Sequence, residues 1–253
     1  MSKKVPRNWL QDNIKHIIED DYLEISKSKG CDILSKLDEN SKKLAKRWQD
    51  SNRTDFSFYS DKDYLYEGIL CYHINSINSV KTSINYFSKI LGMNLSEKTA
   101  LDVYNGPGLT TARLQYSGLQ MSYFNDVDDQ IKSTNAISIA NDLGTPTNYK
   151  TISAIEGNMF DIVYCLEVLE HIRDPLILVR DIIKFIKQDG FYVETTSFSS
   201  PNYPGHFETY FDLDKNELKG RGIKAAYYKL LKSEGFEKVY TGFNARPNIW
   251  MKN

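Results

Sequence analysis

The chain has 253 residues, 41% of them hydrophobic and 26% charged. That is the composition of an ordinary soluble globule, long enough for one large domain or a domain plus an appendage. A net charge of -1 excludes a general basic field for nucleic acid. The three cysteines, Cys31, Cys71 and Cys165, stand apart in sequence. They give neither a disulfide framework nor zinc-ligand spacing and fit a reducing compartment. The basic stretch Met1–Arg7 is not followed by a long apolar run, and no segment has the length of a membrane-spanning helix. A cytoplasmic protein with no membrane partner is expected.

Residues 1 to about 95 show helical apolar spacing. Leu10, Ile14, Ile17 and Ile18 make one stripe, and Ile33, Leu34, Leu37, Leu44 and Trp48 a looser second. Asn52 to Asp63 is a polar connector. The stretch Asp55–His73 carries Phe56, Phe58, Tyr59, Tyr64, Tyr66 and Tyr72; a hydrophobic cap packed on the following domain is the expected role, and Tyr59, Tyr64 or Tyr66 lining a pocket is a compatible second one. Ile84, Phe87, Ile90 and Leu91 form a third stripe, stopped by Gly92 in the C′ role.

From residue 99 the pattern becomes strand alternating with helix. Thr99–Tyr104 reads as a strand, and Leu109–Tyr116 as a helix ended by Gly118. Met121–Asn125 is a second strand, followed by a helix from about Asp129 to Asn141. A thin third strand falls within Thr145–Ile155. Phe160–Leu166 is strongly apolar, and Asp174-Pro175 then starts a helix with Asp as N-cap and Pro at the first helical position. Leu176, Val179, Ile182, Ile183 and Ile186 supply its buried face, with Gly190 as its stop. Phe191–Thr195, a helix over roughly Lys215–Ser233, Phe236–Phe243 and Asn248–Met251 complete the chain. Such alternation implies a parallel sheet with right-handed crossovers, an α/β doubly wound domain. The expected division is a helical cap or lid over 1–95 and the sheet domain over 96–253.

The segment that carries most chemistry is Asp102-Val103-Tyr104-Asn105-Gly106-Pro107-Gly108. A strand handed to a helix through glycines lets backbone approach a ligand and presents free N–H groups at the helix start. Asp126, with Val127, ends the second strand, where a carboxylate can accept two hydrogen bonds from a cis-diol. A solvated acidic helix start is the competing role, since Asp128 and Asp129 follow.

Several segments, in order, resemble the class I S-adenosylmethionine-dependent methyltransferases over roughly residues 80–253. Asp102 to Gly108 is similar to the family's Asp-x-Gly-x-Gly-x-Gly turn, with Tyr104 in place of the first glycine. Asp126 stands where the family holds the ribose hydroxyls. Phe160-Asp-Ile-Val-Tyr-Cys-Leu-Glu-Val-Leu-Glu-His171 resembles the fourth-strand motif of the branch containing the ubiquinone-biosynthesis O-methyltransferases. Ile186–Phe191 and Leu230–Phe236 resemble the turn into the fifth strand and the last helix–strand junction. The resemblance implies a Rossmann-like, doubly wound, mostly parallel seven-stranded sheet with an N-terminal helical cap. It also implies S-adenosylmethionine as cofactor and S-adenosylhomocysteine as product. The cofactor contacts it implies are Asp102, Tyr104, Asn105, Gly106, Gly108, Asp126, Val127, Cys165, Leu166 and Glu167.

For catalysis the loop after the fifth strand supplies His206, with Glu208 and Tyr210 as companions. A histidine with an unperturbed pKa near 6.5 suits removal of a hydroxyl proton, while a loop histidine that only bonds backbone is the equal alternative. Glu167, Glu170 and His171 sit at helical spacing but lack a distant further ligand, so no metal is expected. The functional expectation is methyl transfer to a small-molecule acceptor, on oxygen, by a monomer or homodimer that binds no nucleic acid. A methyltransferase acting on a macromolecule, and a non-catalytic methyltransferase-like subunit, are the alternatives.

Overall fold

The computed structural model describes residues 33–54, 57, 76–104, 109–124, 148–149 and 159–253. The strands of its main sheet are β1 (Thr99–Val103), β2 (Gln120–Phe124), β3 (Asn148–Tyr149), β4 (Phe160–Leu166), β5 (Ile186–Thr195), β8 (Phe236–Thr241) and β9 (Asn248–Lys252). A separate hairpin joins β6 (Thr209–Phe211) to β7 (Glu217–Lys219). The seven-stranded sheet has the order β3-β2-β1-β4-β5-β9-β8. All pairs from β3 to β5 are parallel, whereas β9 runs antiparallel to both β5 and β8. The helices are α1 (Ile33–Asp50), α2 (Ile77–Asn85), α3 (Leu109–Tyr116), α4 (Pro175–Ile182) and α5 (Gly220–Ser233).

Period-two alternation in the central strands divides their side chains between two cores. On one face Leu101, Val103, Val163, Cys165 and Tyr192 pack with Val179 and Ile182 of α4 and Tyr227 and Leu231 of α5. On the other, Ala100, Ile162, Tyr164 and Val193 pack with Val80 of α2, with Phe87 and with Leu114 of α3. Helices on both faces of a largely parallel sheet confirm the doubly wound expectation.

Several local readings are corrected. The α4 helix does begin at Pro175, but Asp174 makes no side-chain cap bond. Gly190 does not end that helix. The helix stops at Ile182, a 3₁₀ turn covers Ile183–Phe185, and Gly190 lies within β5. There the β4–β5 register slips between Phe160 and Ile162, and a Cβ at 190 would lie 2.8 Å from Lys187 O and 3.0 Å from Asp161 O. Glycine is required by close backbone approach, not by a helix terminus. Lys215–Lys219 is not helical. Asp212 Oδ1 instead accepts from the amides of Asp214 and Asn216, closing an Asx-type turn that feeds β7. In the third stripe Phe87 is buried, but Ile90 and Leu91 are 67% and 43% exposed. A π-helical turn over Tyr86–Ile90 rotates them off the packed face before Gly92, at φ 65°, ends the segment. Of the second stripe Leu44 and Trp48 are buried. The stripe at Leu10–Ile18, the aromatic set Phe56–Tyr72 and the helix expected over 129–141 lie outside the described residues.

Candidate functional site

Strand order reverses between β1 and β4, so their carboxyl ends flank the crevice where open α/β sheets bind ligands. Both strands turn there through a residue in the left-handed region: Tyr104 at φ 52° and Glu167 at φ 55°. Neither is glycine, and such strain persists where the surroundings hold it and concentrates at functional sites. Below the first turn, Asp102 is 2% exposed and its Oδ2 accepts from Thr111 Oγ1 at 2.6 Å. That bond ties the start of α3 over the end of β1. Burial pushes the Asp102 carboxyl up to about 7, with the Thr111 hydroxyl opposing. Tyr104 is partly buried and packs against the α4–α5 core. Leu166 is buried in the opposite core.

Cys165 lies near the end of β4. Its side chain is fully buried against the α4–α5 face, and burial pushes its thiol up, away from the reactive thiolate. Glu167 is the residue that turns out of β4. Its side chain is 5% exposed, its Oε1 has no hydrogen-bond partner, and Arg246 Nη1 lies 3.5 Å from it. The Glu167 amide donates to both the carbonyl and the hydroxyl of Thr195, which fixes the end of β4 against β5. Asn105, Gly106, Gly108, Asp126 and Val127 lie outside the described residues.

Glu170 is the organising residue that its place in the sequence did not reveal. It is fully buried, on a single 3₁₀ turn after β4 (Leu169–His171). Its carboxylate accepts from the Ser197 amide at 3.0 Å and from Thr196 Oγ1 at 3.1 Å. Its carbonyl accepts from Tyr210 Oη at 3.1 Å and the Phe207 amide at 3.3 Å. One residue thereby joins the β4 end, the β5 exit and the following loop. Burial, then the neighbouring Glu167 charge, raise its carboxyl well above the usual range. The signal in the sequence is the Glu-x-x-Glu-His spacing, which is silent about what the loop brings to it.

The loop brings His206. Its ring stands edge-on to His171 at 4.5 Å between centroids, and 5.0 Å from the Tyr203 ring. It is 4% exposed, and Nδ1 has no hydrogen-bond partner. Burial, then the neighbouring His171, lower its pKa to about 2. A base works best with a pKa near the working pH, so an imidazole held this low is a poor proton acceptor at neutrality. That favours the alternative role, a loop histidine bonded to backbone at Ser200, over the general base. Tyr210 is fully buried, and its hydroxyl is committed to the Glu170 carbonyl. Glu208 is exposed and bonded to Lys219 Nζ at 3.0 Å and Arg53 Nη1 at 3.1 Å, with its carboxyl lowered chiefly by Lys219. Arg53 Nη2 also donates to Asn202. Beside this ion cluster is a cavity of about 400 Å³, lined by Asn52, Arg53, Thr54, Arg173, Phe207, Glu208, Thr209 and Lys219.

Residues 101–193 match the family model described as a methyltransferase domain. A ubiquinone biosynthesis O-methyltransferase from Nitrosomonas europaea is 26% identical over 133 residues, 51% of this chain and 54% of that protein. Another of the same name, from Hydrogenovibrio crunogenus, is 30% identical over 108 residues, covering 41% and 44%. Residues 101–193 are thus similar to a methyltransferase domain of the class I S-adenosylmethionine-dependent kind. The aligned part spans about half the length of these relatives. A solved methyltransferase fold from Methanococcus maripaludis overlays 77% of this chain and 94% of its own with a TM-score of 0.54 at 13% identity. The cofactor of this domain family is S-adenosylmethionine, a cation with a polar amino-acid head. The chain suits it at β1 and β4: the buried Glu167 carboxylate, paired with Arg246, lies beside the turn, and the strained turns bring main chain to the crevice. Among the described residues, no helix is long and apolar enough to cross a membrane.

Proposed function

We propose that the chain transfers the methyl group of S-adenosylmethionine to a hydroxyl oxygen of a small-molecule acceptor. The observation that carries this reading is the pair of strained turns at Tyr104 and Glu167, on adjacent parallel strands at the sheet's reversal point. The cofactor lies across them. Asp102 holds α3 in place, Glu167 faces the positive charge, and Asp126 takes the ribose diol. Asn105, Gly106, Gly108 and Val127 complete the cofactor side. The names of the relatives support oxygen as the acceptor atom.

Methyl transfer is an in-line displacement: the O–CH₃ bond forms as the S–CH₃ bond breaks, and the sulfur keeps the electron pair. The protein's work is placement of the oxygen about 3 Å from the methyl and exclusion of water. The β5–β6 loop serves that role, held by the Glu170 bonds to Ser197, Thr196, Phe207 and Tyr210. The cavity of about 400 Å³ has the size of a small-molecule site. Arg53 reaches it from the turn after α1 and bonds the loop. This supports residues 1–95 as a cap over the sheet domain at 96–253. A panel of hydroxylated small molecules, scored by S-adenosylhomocysteine release, tests the assignment. Acceptor-dependent release supports it; release dependent only on protein or nucleic acid overturns the small-molecule reading.

A further inference from the structure

We propose that the cavity of about 400 Å³ beside the ion cluster binds an oxyanion, a carboxylate or phosphate carried by the acceptor, among Arg53, Arg173 and Lys219. The link to an acceptor rests on the methyl-transfer reading; the anion site itself does not.

The three cations reach the cavity from separate parts of the chain. Arg53 comes from the turn after α1, Arg173 from the segment between β4 and α4, and Lys219 from the end of β7. Like charges gathered this way repel unless negative groups hold them together. Glu208 does part of that work, accepting from Lys219 Nζ at 3.0 Å and Arg53 Nη1 at 3.1 Å. Those charges, Lys219 first, lower its carboxyl, so the field in the cavity favours negative charge. Glu217 pairs with Arg173. Two carboxylates facing three cations leave a positive excess among these groups, which a ligand anion completes.

The guanidinium groups also keep donors in reserve. Arg53 gives Nη1 to Glu208 and Nη2 to Asn202, while its Nε is buried with no hydrogen-bond partner. A buried N–H left unmet calls for an explanation, and an oxyanion that displaces Glu208 along the guanidinium edge supplies one. The Arg173 guanidinium carbon stands 4.6 Å from the Phe211 ring centroid and 5.6 Å from that of Phe207. Its bond to Glu217 engages Nη2, which leaves Nη1 and Nε to a ligand. Rings packed against a planar fork reduce the freedom lost when it grips an anion. Of the lining residues only Arg173 falls within 101–193, so the family match does not account for the site. Phe207 and Glu208 follow His206 in the loop after β5, and the Phe207 amide is fixed to the Glu170 carbonyl. An acceptor anchored here by its anion is thereby held against that loop.

The test titrates the full chain with inorganic phosphate and, separately, with benzoate, followed by calorimetry. Saturable binding is expected for at least one. Phosphate alone assigns a phosphate, benzoate alone a carboxylate, and both together a site that reads the charge common to them. Arg53→Gln and Arg173→Gln are each expected to weaken binding ~10-fold or more. Lys184→Gln, outside the cavity and paired with Asp181, is expected to leave it unchanged. Glu208→Gln removes the carboxylate that competes for Lys219 and Arg53, so it is expected to tighten binding, an effect that a purely structural role would not give. Binding of neither anion, unchanged affinity in both folded arginine variants, or weaker binding in Glu208→Gln overturns the site. The exposed Glu208→Gln change decides the matter even where an arginine variant fails to fold. With an acceptor that supports S-adenosylhomocysteine release, the bound anion is expected to raise KM without lowering kcat; absence of competition overturns the link to the acceptor. A parallel titration with S-adenosylmethionine separates the two ideas: anion binding without cofactor heat keeps the site and removes methyl transfer, and the reverse removes only the site.

Discussion

Asp102 shows how a single buried group couples local geometry to solution behaviour. Its folded pKa of about 7 lies above the ordinary 3.8, so the native state holds a proton that the unfolded chain releases. That stability is complete below about pH 4 and is lost as pH rises toward 7, at most ~4 kcal/mol for a shift of this size. Asp102→Asn keeps an acceptor for Thr111 and removes the titration. Urea unfolding of the ligand-free chain should show wild type losing stability relative to Asp102→Asn between about pH 4.5 and 7.5; parallel curves would reject this. Glu194, fully buried and raised to about 7 by burial, depends on the Asn248 side-chain amide, which donates to it at 2.7 Å. Asn248→Ala strands that carboxyl, and a loss of roughly 1–3 kcal/mol in the same assay is expected. His206 teaches a different lesson. It was singled out from its place after the fifth strand, but its surroundings were not legible, because its burial and the His171 ring beside it are not visible in sequence.

The strands and helices of the sheet domain were read from apolar periodicity wherever burial follows it. Phe160–Leu166 and Leu109–Tyr116 are found as expected. Failures occur where backbone geometry overrides composition. The β4–β5 bulge moves the start of β5 to Ile186 and draws Gly190 into the strand, and a hairpin takes residues assigned to a helix. Gly190→Ala checks the bulge: with backbone oxygens 2.8 and 3.0 Å from the new carbon, about 1–3 kcal/mol of destabilisation is expected. For a chain of this length that lowers Tm by a few degrees, ~2–4 °C per kcal/mol. An unchanged Tm would mean that the strands do not approach so closely. The Glu170 network was missed for a related reason: its partners at Thr196, Ser197, Phe207 and Tyr210 are far along the chain and carry no shared motif.

At the level of the whole molecule, the topology does what no single residue does. Reversal of strand order between β1 and β4 opens one crevice, and the loop after β5, stapled by Glu170 and met by Arg53, covers the neighbouring mouth. The crevice followed from the order of motifs along the chain, since alternation fixes the sheet and the sheet fixes where its carboxyl ends converge. The acceptor did not follow, because the cavity beside the mouth is assembled from residues 52–54, 173, 207–209 and 219. A sulfonium nucleoside bound across β1 and β4 is the condition for all of the proposed chemistry. Isothermal titration of the purified chain with S-adenosylmethionine measures that directly. One-to-one saturable binding below ~1 mM, weakened by Glu167→Ala with the fold intact, is the predicted result. The absence of any binding heat with a folded chain, or affinity indifferent to Glu167→Ala, would contradict it.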